Sequence, residues 1–174
     1  MSYEHDPPPA RLTFEQIADA AKEHLLSHGS HPPLLVLDGD AKTVGVDLEF
    51  PKRAERRQEL LYVIGLGVAR TGIVGALRQV FLISEAWMNT VEPGQPFTVM
   101  PAGDPKRREV LLISSLRLEA RQTRMAIMEM RRDRDGMVRE LTDVSPEVAD
   151  DPTAESPLLN ALVDGYTQGR ASLS

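Results

Sequence analysis

Residues 76–88 read ALRQVFLISEAWM, with Val80, Phe81, Leu82 and Ile83 apolar in succession. Side chains alternate across a strand, so four apolar residues in a row bury both faces and predict a central strand with neighbours on each side. Residues 109–118, EVLLISSLRL, repeat the pattern. Residues 43–50 instead alternate, with Val44, Val46 and Leu48 on one face and Thr43, Gly45, Asp47 and Glu49 on the other, which predicts a half-exposed strand. The apolar run 34–37 precedes it across Asp38-Gly39, a strong hairpin signal. Residues 124–132 alternate around Met125 and Ile127, and Asp135-Gly136 turns the chain into a short strand at 137–141.

Helical spacing appears three times. Phe14, Ile17, Ala18, Ala21 and Leu25 form one stripe, opened by Thr13 and Gln16 in a capping-box pattern and closed by Gly29. A second helix over 53–70 begins polar and becomes apolar; Gly65 and Gly67 each cost it about 1 kcal/mol relative to Ala, which close packing on the sheet would offset. Leu158, Leu159, Leu162, Val163 and Tyr166 predict a short tail helix that must dock on its own domain, a sister subunit or a partner. The expected fold is α+β: a mainly antiparallel sheet of about five strands, two helices on one face, order α-β-β-α-β-β-β plus the tail helix. A flexible arm at 1–10, the domain at 11–141, and an acidic linker with tail helix at 142–174 are the expected parts.

Composition narrows the function classes. The chain has 174 residues, consistent with one domain. No cysteine is present, which excludes disulfides, thiolate metal sites and a cysteine nucleophile. The N-terminal MSYEHDPPPARL has no apolar run after a basic segment, and no apolar run approaches the ~18 residues of a membrane span, so a cytoplasmic protein without membrane contact is expected. Of 26 acids and 20 bases, residues 140–174 hold seven acids and one Arg, leaving nineteen of each in residues 1–139. A neutral body argues against nucleic acid as partner.

The candidate chemistry is sparse. Leu34 to Asp40 looks like the first motif of haloacid-dehalogenase-type phosphatases, with Asp38 as nucleophile and Asp40 as acid/base. Lys42 stands where that motif has Thr or Val, and a hairpin turn explains the pair better. Asp47, Glu49 and Lys52 lack the spacing of nuclease acids and read as a solvent face. His24, His28 and His31 are weak metal candidates: two lie one helical turn apart, but no carboxylate joins them. No metal, cofactor or catalytic set is assigned.

The best candidate site for a ligand or partner is Glu85 and Trp87 with Asp104, Arg107 and Arg108, which antiparallel pairing would bring to one end of the sheet. The connection after Met88 is long and rich in Pro and Gly, as functional loops are. FLISEAWM followed by DPKRREVLLISS resembles small bacterial proteins over roughly residues 34–133. That resemblance carries no catalytic motif, implies a recurring core unit, and gives no role to any residue. Two readings follow. One is a non-catalytic protein-interaction or assembly module, a homo-oligomer or partner binder using the tail helix. The other is a small enzyme or ligand-binding protein with a pocket under the 89–108 loop.

Overall fold

The computed structural model describes residues 10–89, 105–145 and 156–174. The expected arm up to residue 9, most of the connection after Met88, Asp104 within it, and residues 146–155 of the expected linker lie outside the described residues. The order is α1 (Phe14–His28), β1 (Leu34–Gly39), β2 (Thr43–Asp47), α2 (Ala54–Thr71), β3 (Leu77–Met88), β4 (Arg108–Arg117), β5 (Gln122–Arg132), β6 (Val138–Asp143) and α3 (Pro157–Ala171). The six strands form one sheet in the order β2-β1-β3-β4-β5-β6, antiparallel at every pairing. The α+β class and the element order are as the sequence predicts, with six strands rather than five.

The helices take both faces of this sheet. Phe81 and Ile83 of β3 join Leu111 and Ile113 of β4 and Ala126 and Met128 of β5 under α1. Val80 and Leu82 of β3 join Leu116 of β4 beneath α2 and α3. Two helices do share one face, but they are α2 and α3, while α1 covers the other. The physical reason is the run Val80 to Ile83, which leaves apolar side chains on both sides of β3.

Local signals explain the boundaries. Thr13 Oγ1 accepts the Gln16 N–H at 3.1 Å, and Gln16 Oε1 accepts the Thr13 N–H at 2.9 Å, completing the capping box. Gly29 and Gly72 end α1 and α2 in the left-handed region. The Asp38-Gly39 pair behaves differently from the expectation of a turn. Both residues lie inside β1, and the turn is closed by the Gly39 N–H donating to the Lys42 carbonyl at 3.1 Å. Gly39 is required because a Cβ there would fall on the Val74 carbonyl.

α3 settles onto its own domain. Leu159, Leu162, Val163 and Tyr166 are buried in the α2-side core, and the Leu77 N–H donates to the Tyr166 hydroxyl at 3.0 Å. Burying these four side chains is worth roughly 6–10 kcal/mol, comparable to the whole stability of a domain. α3 is therefore part of the fold and not a detachable tail, and the expectation that it recruits a sister subunit or partner is not supported.

Its contact with α2 is a backbone approach. A Cβ at Gly65 would collide with the Leu162 carbonyl of α3, not with the sheet as the sequence suggests. A Cβ at Gly165 would collide with the Tyr62 carbonyl of α2, and one at Gly169 would lie 2.6 Å from Ala69 Cβ. Gly67, on the far side of α2, meets nothing within 4 Å. Gly165→Ala will therefore destabilise the protein by about 2–3 kcal/mol in urea unfolding, as overpacking does. Gly67→Ala will stabilise it by about 0.5–1 kcal/mol, the helix-propensity gain alone. Equal effects would show that the helices are not in this contact.

Candidate functional site

Glu85 and Trp87 share the α1-facing side of β3, beyond Ile83, and Trp87 stands opposite Glu109 in the ladder. The chain leaving α1 reaches this point, and the His31 N–H donates to Glu85 Oε1 at 2.5 Å. Arg132, at the end of β5, completes the corner. Its Nε and Nη2 donate to the two Glu109 oxygens at 2.8 and 2.7 Å, and Nη2 lies 3.5 Å from Glu85 Oε2. Its Nη1 donates to the carbonyls of Gly29 and Gly136, the latter at 2.9 Å. The Glu109 fork raises the Arg132 pKa above the ordinary guanidinium value, with a smaller contribution from Glu85.

Arg107 lies over the Trp87 ring, 4.3 Å from its centre, and Trp87 stays 45% exposed. Arg108 sits on the other face, paired with Glu129 at 2.8 Å. Glu85 is thus paired with Arg132 rather than with Arg107 or Arg108. The predicted residues do not converge on a pocket among the described residues. What the sequence reading missed is Arg132, whose signal was the two-residue spacing Met128, Met130, Arg132 on one face of β5.

His24, His28 and His31 do come together. The His24 and His28 rings stack at 4.2 Å between centres, and His31 meets His24 edge-on at 4.9 Å. His28 Nδ1 donates to the His24 carbonyl at 3.0 Å and His31 Nδ1 to the Pro32 carbonyl at 2.8 Å, which fixes both tautomers. The rings face one another instead of a common point, and no metal-holding group of three such residues occurs among the described residues. Partial burial holds the His24 pKa below the ordinary imidazole value, and repulsion from His28 and His31 lowers it further.

A cavity lies at the opposite end of the same sheet face. It encloses about 750 Å³. Its floor is a row across three strands, Gln79 of β3, Arg117 of β4 and Gln122 of β5, directly opposite one another in register. Ser115 and Arg124 form the next row, and residues 11–15, leading into α1, form a wall. Asp38, opposite Gln79 on β1, anchors the floor from the side: Thr43 Oγ1 donates to its Oδ1 and Gln79 Nε2 to its Oδ2, both at 2.7 Å. Gln79 Nε2 also donates to the Leu12 carbonyl at 2.6 Å, tying the wall to the floor. Asp38 is 3% exposed and committed to these bonds, so its role is structural and not that of a phosphatase nucleophile.

Arg124 crosses the cleft wall, 4.4 Å from the Phe14 ring centre and ion-paired to Glu15. The Glu15 backbone N–H and then Arg124 hold the Glu15 carboxyl below the usual carboxylate range. Periodicity could not reveal this site, because the polar row exists only once three strands are in register.

No family model, curated protein or solved structure matches this chain. Among the described residues no helix is long and apolar enough to cross a membrane.

Arg132→Ala will cost about 2–3 kcal/mol in chemical denaturation, because it leaves two half-buried carboxylates and two carbonyls without their donor. Arg132→Lys will recover less than half, since an ammonium cannot span the Glu109 oxygens and both carbonyls. A loss below about 0.5 kcal/mol for Ala would place Arg132 among exposed ion pairs.

The His24 shift sets a pH window. Unfolded His24 takes up a proton near pH 6.5, while in the folded protein it resists protonation. Stability therefore falls as the pH drops below about 6.5 and the loss levels off below the folded pKa. Thermal unfolding between pH 8 and 5 will show a smaller decline for His24→Asn than for the natural chain; parallel curves would refute the coupling.

Proposed function

We propose that the protein is a non-catalytic binding module whose ligand enters the cleft between residues 11–15 and the Gln79–Arg117–Gln122 row. The cavity itself carries this reading: about 750 Å³ is within the range of small-ligand sites. It is built on strands and a capped helix start, which hold side chains more rigidly than loops do. The hydroxyls lining it do not make a nucleophile. Thr13 is used in the capping box, and Ser115 has no histidine among the lining residues.

A second reading is favoured by one observation. Trp87, exposed under Arg107 on a corner fixed by Arg132, has the residue types of a protein-contact hot spot. The interaction reading, including a homo-oligomer, rests on this corner and no longer on α3.

Titration of the ¹⁵N-labelled chain with a panel of small aromatic acids, alcohols and amines separates the two. Saturable shifts at Leu12, Phe14, Gln79, Phe81 and Gln122 support the cleft. Shifts confined to Trp87, Arg107 and Glu109 would transfer binding to the corner, and no saturable shift with any compound would remove the cleft reading.

A further inference from the structure

We propose that the cleft selects small organic anions, a carboxylate or phosphate group on an apolar body, with Arg78 and Arg117 as the groups that recognise the charge. This rests on the cleft-binding reading above and specifies its ligand. The cleft is lined by Arg11, Arg78, Arg117 and Arg124 against two acids, Glu15 and Glu119, in a chain whose net charge is −6. The local excess of cations thus runs against the balance of the whole molecule.

Arg124 and Glu15 neutralise each other, which leaves three guanidinium groups against one carboxylate. Among the described residues, Arg11, Arg78 and Arg117 make no ion pair and no side-chain hydrogen bond. None of the four lysines lines the cavity. That choice matters, because a planar guanidinium binds both oxygens of a carboxylate or phosphate, whereas an ammonium is a point charge.

The remaining lining fixes the rest of the ligand. Gln122 adds a neutral donor beside Arg117, and Leu12, Phe14, Phe81 and Leu118 offer apolar contact for a ring or short chain.

The test uses the full chain and four probes of one size: benzoate, phenyl phosphate, benzyl alcohol and benzylamine, followed by amide shifts at low ionic strength. The expected result is saturable binding of at least one anion at the cleft amides. Benzyl alcohol and benzylamine should bind at least about tenfold more weakly, the worth of one charged hydrogen bond, and added salt should weaken the anion. Arg117→Gln and Arg78→Gln should each weaken it about fivefold or more, while Arg70→Gln, on the exposed end of α2, should not. The amide spectra also show that each variant is folded. The stronger of benzoate and phenyl phosphate identifies the head group. If benzyl alcohol binds the same amides as tightly and both Gln variants bind like the natural chain, the anion inference is overturned while the cleft remains a binding site. If no probe binds, both are overturned.

Discussion

The structure depends on one constraint: β3 and β4 are apolar on both faces, so the sheet needs cover on both sides. A half-buried antiparallel sheet can leave one face to water, but Val80 to Ile83 allows no such economy. The two cores are separate clusters divided by the sheet, one under α1 and one under α2 with α3. Each needs its own helix cover, and a lone α2 on its side is supplemented by α3 from the far end of the chain. The glycines let the two helix backbones approach closely above the core that holds Leu61 and Val80.

Much of this was legible in the residues. Capping at Thr13 and Gly29, the end of α2 at Gly72, the hairpin, the central position of β3 and the antiparallel meander are all local or periodic signals, and they appear where the pattern puts them. The two-sided cover was also written in Val80 to Ile83, although the order of elements alone suggested helices on one face. Other features needed the third dimension. Asp38-Gly39 has turn composition, yet Gly39 is glycine because Val74 passes against it. Gly65 and Gly67 look alike in sequence, and only the position of α3 shows that one is a contact and the other faces open space.

The site was less legible than the fold. Glu85 and Trp87 were recognisable as charge and aromatic surface at the end of an apolar strand. Their partner Arg132 is far along the chain, and choosing it over Arg107 or Arg108 requires knowing which face each residue takes. The three histidines are close because of their spacing, but spacing does not say whether rings converge on an ion or stack on each other. The cleft row Gln79, Arg117 and Gln122 comes from three strands with no shared motif.

The position of both ends follows from lengths. A 15-residue helix spans about 22 Å, whereas the 12-residue β3 spans about 40 Å. α1 can therefore cover only the middle of β3. On its side that strand reads Gln79, Phe81, Ile83, Glu85, Trp87, and the six steps from Gln79 to Glu85 rise roughly 20 Å, about the length of the helix. The chain is tied down at both limits, with the Leu12 carbonyl on Gln79 and the His31 N–H on Glu85. Phe81 and Ile83 lie between the ties and are buried. Past each tie the sheet continues without α1 above it. One overhang is closed by Arg132 and leaves Trp87 at its edge. The other leaves the row Gln79, Arg117 and Gln122 beside the start of α1 with a cavity over it, because the helix ends before it can cover that end of the sheet.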